Sequence, residues 1–506
     1  MAPSHPRTDP AFADLPLQRL AAAALQRATD FGAEHADFRL ENIQRQNLDL
    51  RDANLVDAST STDRGFAVRV IDQGTWGFAA GAVLSVDEVV RVTEAALLMA
   101  RASRPMTTEP IAFADEPVYP DAVWSSAYGV DPFSVATADK VALLAEWSAA
   151  LLRAPAVRHV QASVRQVREA KFYSDIHGTT TTQQRVRLHP QLEVYGLDET
   201  RGLLASMRTI APPTGRGWEY LTGTGFDWDR ELAGLAEHLA GKLVAPSVEP
   251  GRYDLVIDPS NLWLTIHESI GHATELDRAL GYEANYAGTS FATPDRLGEL
   301  KYGSGCMHIT GDRTVEHGLA TVGYDDDGVA GQQFDLVREG VLVGFQTDRR
   351  MAALRGDERS TGCAFADSPS HVPIQRMANV SLQPAATDTT TEDLIGGVEH
   401  GIYVVGDGSW SIDMQRYNFQ FTGQRFLEIR DGRLAGPLRD VAYQATTTDF
   451  WGAMEAVGGP STWQLQGAFN CGKAQPSQVA PVSHGCPSAL FRGIRILNAR
   501  AEAGRR

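Results

Sequence analysis

Residues 245–251, Ala-Pro-Ser-Val-Glu-Pro-Gly, place two prolines and a glycine within seven positions. Proline lacks the N–H that a helix interior or a central strand must donate, so no regular element runs through this segment. The segment reads as a boundary, and its two sides differ in character.

Before the break, helical and strand patterns alternate. Residues 17–31 read as a helix, followed by strands near 38–45 and 65–71. In the second of these, Phe66, Val68 and Val70 alternate with Ala67 and Arg69. Asp72-Gln73-Gly74 then leads into Trp76 and Phe78, which predicts a hairpin. Ser85 and Glu88 form a capping box for a helix whose buried stripe carries Val86, Val89, Val90 and Leu97. A similar module follows the linker near residues 109–132. Val141, Leu144, Trp147 and Leu151 have helical spacing, strands are expected at 160–173 and 179–195 around a turn at 175–178, and a helix closes the module near 229–244.

Beyond the break, Tyr253-Asp254-Leu255-Val256-Ile257 reads as a short strand, and Asp258-Pro259-Ser260 caps a helix starting near Asn261. Glycine-rich β signals follow, with hairpin turns expected at Glu339-Gly340 and Asp431-Gly432. The expected fold class is α+β. Two α/β helix–strand–helix modules, residues 1–110 and 111–245, precede a mainly β domain, 246–506, that carries one metal-binding helix. A length of 506 residues agrees with more than one core.

Composition narrows the function classes. Hydrophobic residues at 43% and charged residues at 22% exclude a disordered or collagen-like chain. The net charge of −17, with no run of Lys and Arg, argues against a nucleic-acid partner. No apolar stretch reaches the roughly 20 residues that cross a bilayer, so no membrane role is expected. The first ten residues lack the apolar core of a signal peptide, and the four cysteines form no Cys-x-x-Cys pair, so a reduced, cytoplasmic setting is expected.

The chemistry concentrates in His267-Glu268-Ser269-Ile270-Gly271-His272. In 506 residues with 13 histidines, a His-Glu-x-x-x-His pattern arises by chance about 0.02 times. Histidines four apart share a helical face at about 40°, whereas the present spacing of five separates them by roughly 140°. A π-bulge would restore a common face, and Gly271 is the position where the backbone distorts most readily. The competing reading is a core helix of Leu262, Trp263, Leu264, Ile266 and Ile270 whose histidines merely find hydrogen-bond partners. Glu268 favours the metal, since a carboxylate in an apolar helix needs a partner and a metal-bound water is one. A catalytic zinc takes a third protein ligand, for which Cys306, His308, Cys363, His371, Cys471, His484 and Cys486 are candidates that spacing does not separate. His484 otherwise reads as a solvated loop histidine, and Asp325-Asp326-Asp327 as a solvated turn before Gly328 rather than a hard-cation site.

The sequence resembles the TldD/PmbA metallopeptidase family, and within it the TldD-type, metal-bearing subunit. The resemblance rests on His267–His272 with the following Ala273-Thr274-Glu275-Leu276-Asp277, on Asp325-Asp326-Asp327-Gly328-Val329-Ala330-Gly331-Gln332, and on Asn470-Cys471-Gly472-Lys473. Residues 63–70 and 74–79 also look like the family's first domain. The resemblance implies zinc on His267, His272 and Cys471, with Glu268 as general base. It further implies cleavage of short or unfolded peptides, including precursor-peptide maturation, and pairing with a PmbA-type subunit or with a second copy. The sequence departs from the commoner family pattern after Lys473. The alternative is a non-catalytic peptide- or protein-binding regulator, for example of DNA gyrase, with a structural zinc. A non-hydrolytic iron site fits less well, because two histidines and a thiolate do not match the two-histidine, one-carboxylate triad.

Overall fold

The computed structural model describes residues 8–503, so the leader-lacking reading of residues 1–7 lies outside the described residues. The first half carries helices α1 (Pro10–Ala13), α2 (Leu17–Asp30), α3 (Val86–Ser103), α4 (Thr137–Leu152) and α5 (Trp228–Val244). Its strands are β1 (His35–Arg51), β2 (Asn54–Asp72), β3 (Thr75–Gly81), β4 (Ala122–Ser125), β5 (His159–Asp175), β6 (Thr180–Asp198) and β7 (Leu203–Arg208). They form one sheet in the order β3-β2-β1-β5-β6-β4, with β7 beside the far end of β6. The units α2-β1-β2-β3-α3 and α4-β5-β6-β7-α5 repeat one order of elements, and they join through the antiparallel β1–β5 pair.

Period two in these strands separates polarity rather than burial. Phe38, Leu40, Ala170, Phe172 and Leu188 point to the face covered by α2–α5. Arg39, Glu41, Glu169, Lys171, Arg185 and Arg187 point to the other face, yet they are also buried, because the second half packs against it. Asp325, Asp326 and Asp327 lie in this seam. They are buried, not solvated as the sequence suggests. Lys171 Nζ donates to Asp326 at 2.7 Å, Arg69 pairs with Asp327 at 2.8 Å, and Asp325 accepts the backbone N–H groups of Asp327, Val329 and Ala364. A run of carboxylates survives there because cations from the opposing sheet compensate it.

The second half contains β8 (Gly251–Ile257), helix α6 (Pro259–Ile266), β9 (Ile309–Asp312), β10 (Gln333–Arg338), β11 (Val341–Leu342), β12 (Ala364–Phe365), β13 (Ile374–Gln375) and β14 (Asn379–Leu382). These are followed by β15 (His400–Ile412), β16 (Asn418–Arg430), β17 (Arg433–Leu438), β18 (Val441–Thr446), β19 (Met454–Val457), β20 (Gln464–Lys473), β21 (Gln478–Cys486) and β22 (Ala489–Asn498). The main sheet runs β15-β8-β22-β18-β16-β17 and closes on itself, because β15 also pairs with β16. Smaller sheets are β11-β10-β9-β14, β12-β13 and β20-β21. The expected hairpins at Gln73-Gly74, Glu339-Gly340 and Asp431-Gly432 are present, each with both central residues at positive φ, as type I′ turns require. Among the described residues, no helix is long and apolar enough to cross a membrane.

Candidate metal centre

Helix α6 starts where Asp258 accepts from Ser260 N, and it continues into a π turn over His267–Gly271. The His272 N–H reaches the His267 carbonyl at 3.0 Å, the i to i+5 bond that puts both imidazoles on one side. The turn's carbonyls are satisfied from outside: Tyr302 OH donates to Ser269 O at 2.5 Å, and Gln346 Nε2 to Gly271 O at 2.7 Å. Gly271 also allows a close approach that a side chain would crowd. A Cβ there would sit 2.4 Å from Met377 Sδ.

Opposite the turn, β20 pairs with β21 and slips register between Ala468 and Cys471. The irregularity aims Cys471 at the histidines. One donor atom from each of His267, His272 and Cys471 lies within 4.8 Å of the others, and all three residues are buried. Cys471 Sγ is 3.6 Å from His272 Nε2. The other candidates lie elsewhere. Cys306 Sγ contacts Ser304, His308 Nδ1 accepts from Glu339 N, Cys363 contacts Thr361, His371 pairs with Asp367, and Cys486 donates to Pro259 O.

The outer nitrogens of both imidazoles are engaged. His272 Nδ1 bonds Glu275 Oε2 at 2.9 Å, and Lys473 Nζ and Arg278 Nε hold that carboxylate at 3.0 and 3.2 Å. His267 Nδ1 bonds His484 Nε2 at 2.7 Å, and His484 Nδ1 donates to Val380 O at 2.8 Å. His484 is therefore a fully buried partner of His267, not a solvated loop residue. The Val380 carbonyl can only accept, which makes His484 Nδ1 the donor and His484 Nε2 the acceptor. His267 then carries its proton on Nδ1 and keeps its Nε2 lone pair free, while Glu275 orients His272 alike.

Burial lowers the basicity of His267 and His272, and it lowers His484 further with help from His267, so these rings are held neutral. The net shift of the buried Cys471 thiol is down, with the Arg376 guanidinium among the charges that oppose the effect of burial. Burial opposes the charge on Glu275 as well, yet Lys473 and His272 bring its carboxyl well below the usual range. Two lone pairs and a thiol inclined to ionise are a donor set suited to zinc. The sequence signal for these orienting groups is thin. Glu275 and Lys473 stand in segments that carry the family resemblance, and nothing local marks His484.

His267 and Glu268 open onto a cleft of about 240 Å³ between the two halves, with Trp263, His189, Arg208, Trp410 and residues 466–470 of β20 on its walls. Glu268 Oε2 accepts from Arg416 Nη1 at 2.9 Å, and its other oxygen has no protein partner among the described residues. Arg416, at φ +64° in the β15–β16 hairpin, also donates to Ala287 O at 2.9 Å.

Residues 250–498 match the PmbA/TldA metallopeptidase C-terminal domain, and residues 36–100 match PmbA/TldA metallopeptidase domain 1. A metalloprotease of Methanocaldococcus jannaschii is 25% identical over 460 residues, 89% of this chain and 94% of that protein. A zinc metalloprotease TldD homologue of Saccharolobus solfataricus is 26% identical over 272 residues, 54% of this chain and 57% of that one. The crystal structure of TldE from Thermococcus kodakarensis superimposes with a TM-score of 0.68 at 17% identity, covering 94% of this chain and 99% of that chain.

Proposed function

The chain belongs to the TldD/PmbA family and is a metallopeptidase, and from that premise we propose that it hydrolyses short or unfolded peptides, precursor peptides among them, with zinc on His267, His272 and Cys471 and Glu268 as general base. The observation that carries the reading is the convergence of two neutral Nε2 atoms and one Sγ beside a carboxylate that faces the cleft. A zinc ion held there supplies Lewis acidity, lowering the pKa of a water and polarising the scissile carbonyl.

The remaining steps belong to the chain's own side chains. His484 and Glu275 fix the tautomers, so no proton competes for the inward nitrogens. Arg416 fixes one Glu268 oxygen and leaves the other to take a proton from the attacking water and return it to the leaving amine. One edge of β20 pairs with β21, and no strand among the described residues pairs with the other. An extended peptide laid along that edge gains backbone hydrogen bonds largely independent of its sequence. A folded protein would have to unfold locally to lie there, at a cost of up to its whole stability of about 5–15 kcal/mol. A PmbA-type partner or a second copy would close the cleft. The test is Glu268→Gln, assayed with and without a partner subunit. Zinc content should stay near one per chain while turnover falls roughly 10²–10⁴-fold, and unchanged turnover would remove Glu268 from the mechanism.

A further inference from the structure

A second cavity, of about 370 Å³, opens on the same face of β6 as the cleft. Arg185 and Arg187 line it, while His189, the next residue on that face, lines the cleft beside His267 and Glu268. Same-face neighbours on a strand are about 7 Å apart, so the two cavities adjoin along β6. Gly215, Gly318 and Gly323 on the walls contribute no side-chain bulk, and Thr314 is exposed.

The charges on this face do not balance. Glu169 accepts from Arg187 Nη2 at 2.9 Å and Arg185 Nε at 3.1 Å, and it lies 3.6 Å from Lys171 Nζ, so one carboxylate serves three cations. Lys171 has Asp326 and Glu41 as counter-charges of its own, and Arg187 is paired with neither. Arg187 is 5% exposed, and its Nε and Nη1 have no acceptor among the described residues. Burial and then the neighbouring Arg185 pull its guanidinium down to about 10. The carboxylate lining the cavity, Glu316, is 70% exposed and turned to His317. A buried guanidinium with two unmet N–H donors beside a second cation is short of counter-charge.

We propose that this cavity binds an anionic oxygen group, a carboxylate or a phosphate, on Arg187, with the charge of Arg185 beside it, whose own nitrogens are held by Glu169 and Leu319 O. Either group accepts a charge-assisted hydrogen bond from a guanidinium N–H. Two sources carry such a group: an acidic residue or C-terminus of a peptide in the adjoining cleft, or a free anion. The first source rests on the peptidase reading above, whereas the site itself does not.

The experiment therefore has two arms. In the first, metal-free protein is titrated calorimetrically with inorganic phosphate. Binding is expected, weakened roughly 10- to 100-fold in Arg187→Gln and in Thr314→Glu, the latter setting a carboxylate at the cavity from an exposed position. Thr314→Glu keeps the test intact if Arg187→Gln does not fold. No phosphate binding by the unmodified protein, or equal binding by all three proteins, overturns the proposal. In the second arm, metal-loaded protein cleaves peptide pairs differing by Asp and Asn. A KM about tenfold lower for Asp that disappears in Thr314→Glu assigns the site to the substrate. Equal KM with phosphate binding retained assigns it to a free anion. Phosphate binding without cleavage of any peptide counts against the peptidase reading and supports the anion site.

Discussion

The candidate metal centre and the charged seam are both buried, both polar and both assembled from residues far apart in the sequence, yet they end differently. In the seam, charge meets charge: Lys171 on Asp326, Arg69 on Asp327 and on Asp37, Arg39 on Glu41. In the candidate metal centre the charges sit one layer out, on Glu275, Lys473 and Arg278, and they point three uncharged or weakly charged donors at a common space. Burial and charge do not mark a site by themselves. What distinguishes one is a set of donors whose outward atoms are satisfied and whose inward atoms are not.

The largest effect should come from removing an inward donor. Cys471→Ser is expected to take zinc from about one per chain to almost none, while the stability of the metal-free protein and the seam stay unchanged. Cys486→Ser, at a buried thiol that donates to Pro259 O, should keep its metal. Elemental analysis of both proteins decides, and the reverse pattern would displace Cys471 from the ligand set.

The seam should respond in the opposite currency. Lys171→Met leaves Asp326 and Glu41 short of a buried cation, so unfolding in urea should occur with about 3–5 kcal/mol less stability. Zinc content should not change. A loss of metal in this variant would show that the two regions are one cooperative unit and would end the contrast.

How far each region could be read from sequence follows from the same contrast. The spacing of His267 and His272 demands a π turn, because the geometry is local to one helix. The third donor comes from a strand some 200 residues on, and only the family resemblance singled out Cys471 among seven candidates. His484 is invisible because its function depends on β21 lying against β14, where Val380 accepts its proton. The acidic run Asp325-Asp326-Asp327 looks solvated in sequence, because Lys171, Arg39 and Arg69 reach it only from the other sheet. The long β1–β2 hairpin was only partly legible for a local reason. Its turn, Asp52-Ala53, sits at φ +49° and +64° without the glycine that announces the other three.

A smaller effect tests the orienting layer. His484→Phe keeps an aromatic ring beside Trp263 but leaves the His267 Nδ1–H without its acceptor. Zinc affinity, measured by competition with a chelator, should fall about 10- to 100-fold without vanishing. Complete loss would make His484 a ligand rather than an orienting group, and no change would reduce the His267–His484 bond to packing.

The smallest effect concerns pH and belongs to the seam alone. Burial pushes the Glu41 carboxyl up to about 7, against the pull of Lys171 and Arg39, with Asp326 and Glu169 adding to the rise. Because the folded value lies above the ordinary 4.5, its contribution to stability is fully present below pH 4.5 and is lost as pH rises toward 7. Glu169 behaves in the opposite sense. Burial opposes its charge, but Arg185, Lys171 and Arg187 bring its carboxyl well below 4.5, so its contribution is present above that pH and fades in acid. Glu41→Gln removes the first dependence and leaves the second. Relative to the unmodified protein, the variant should gain on the order of 1–2 kcal/mol between pH 5 and pH 7.5. Urea midpoints at the two pH values measure this directly. An identical difference between the two proteins at both values would mean that Glu41 ionises in the fold as it does in water, and that the seam is less closed than its packing implies.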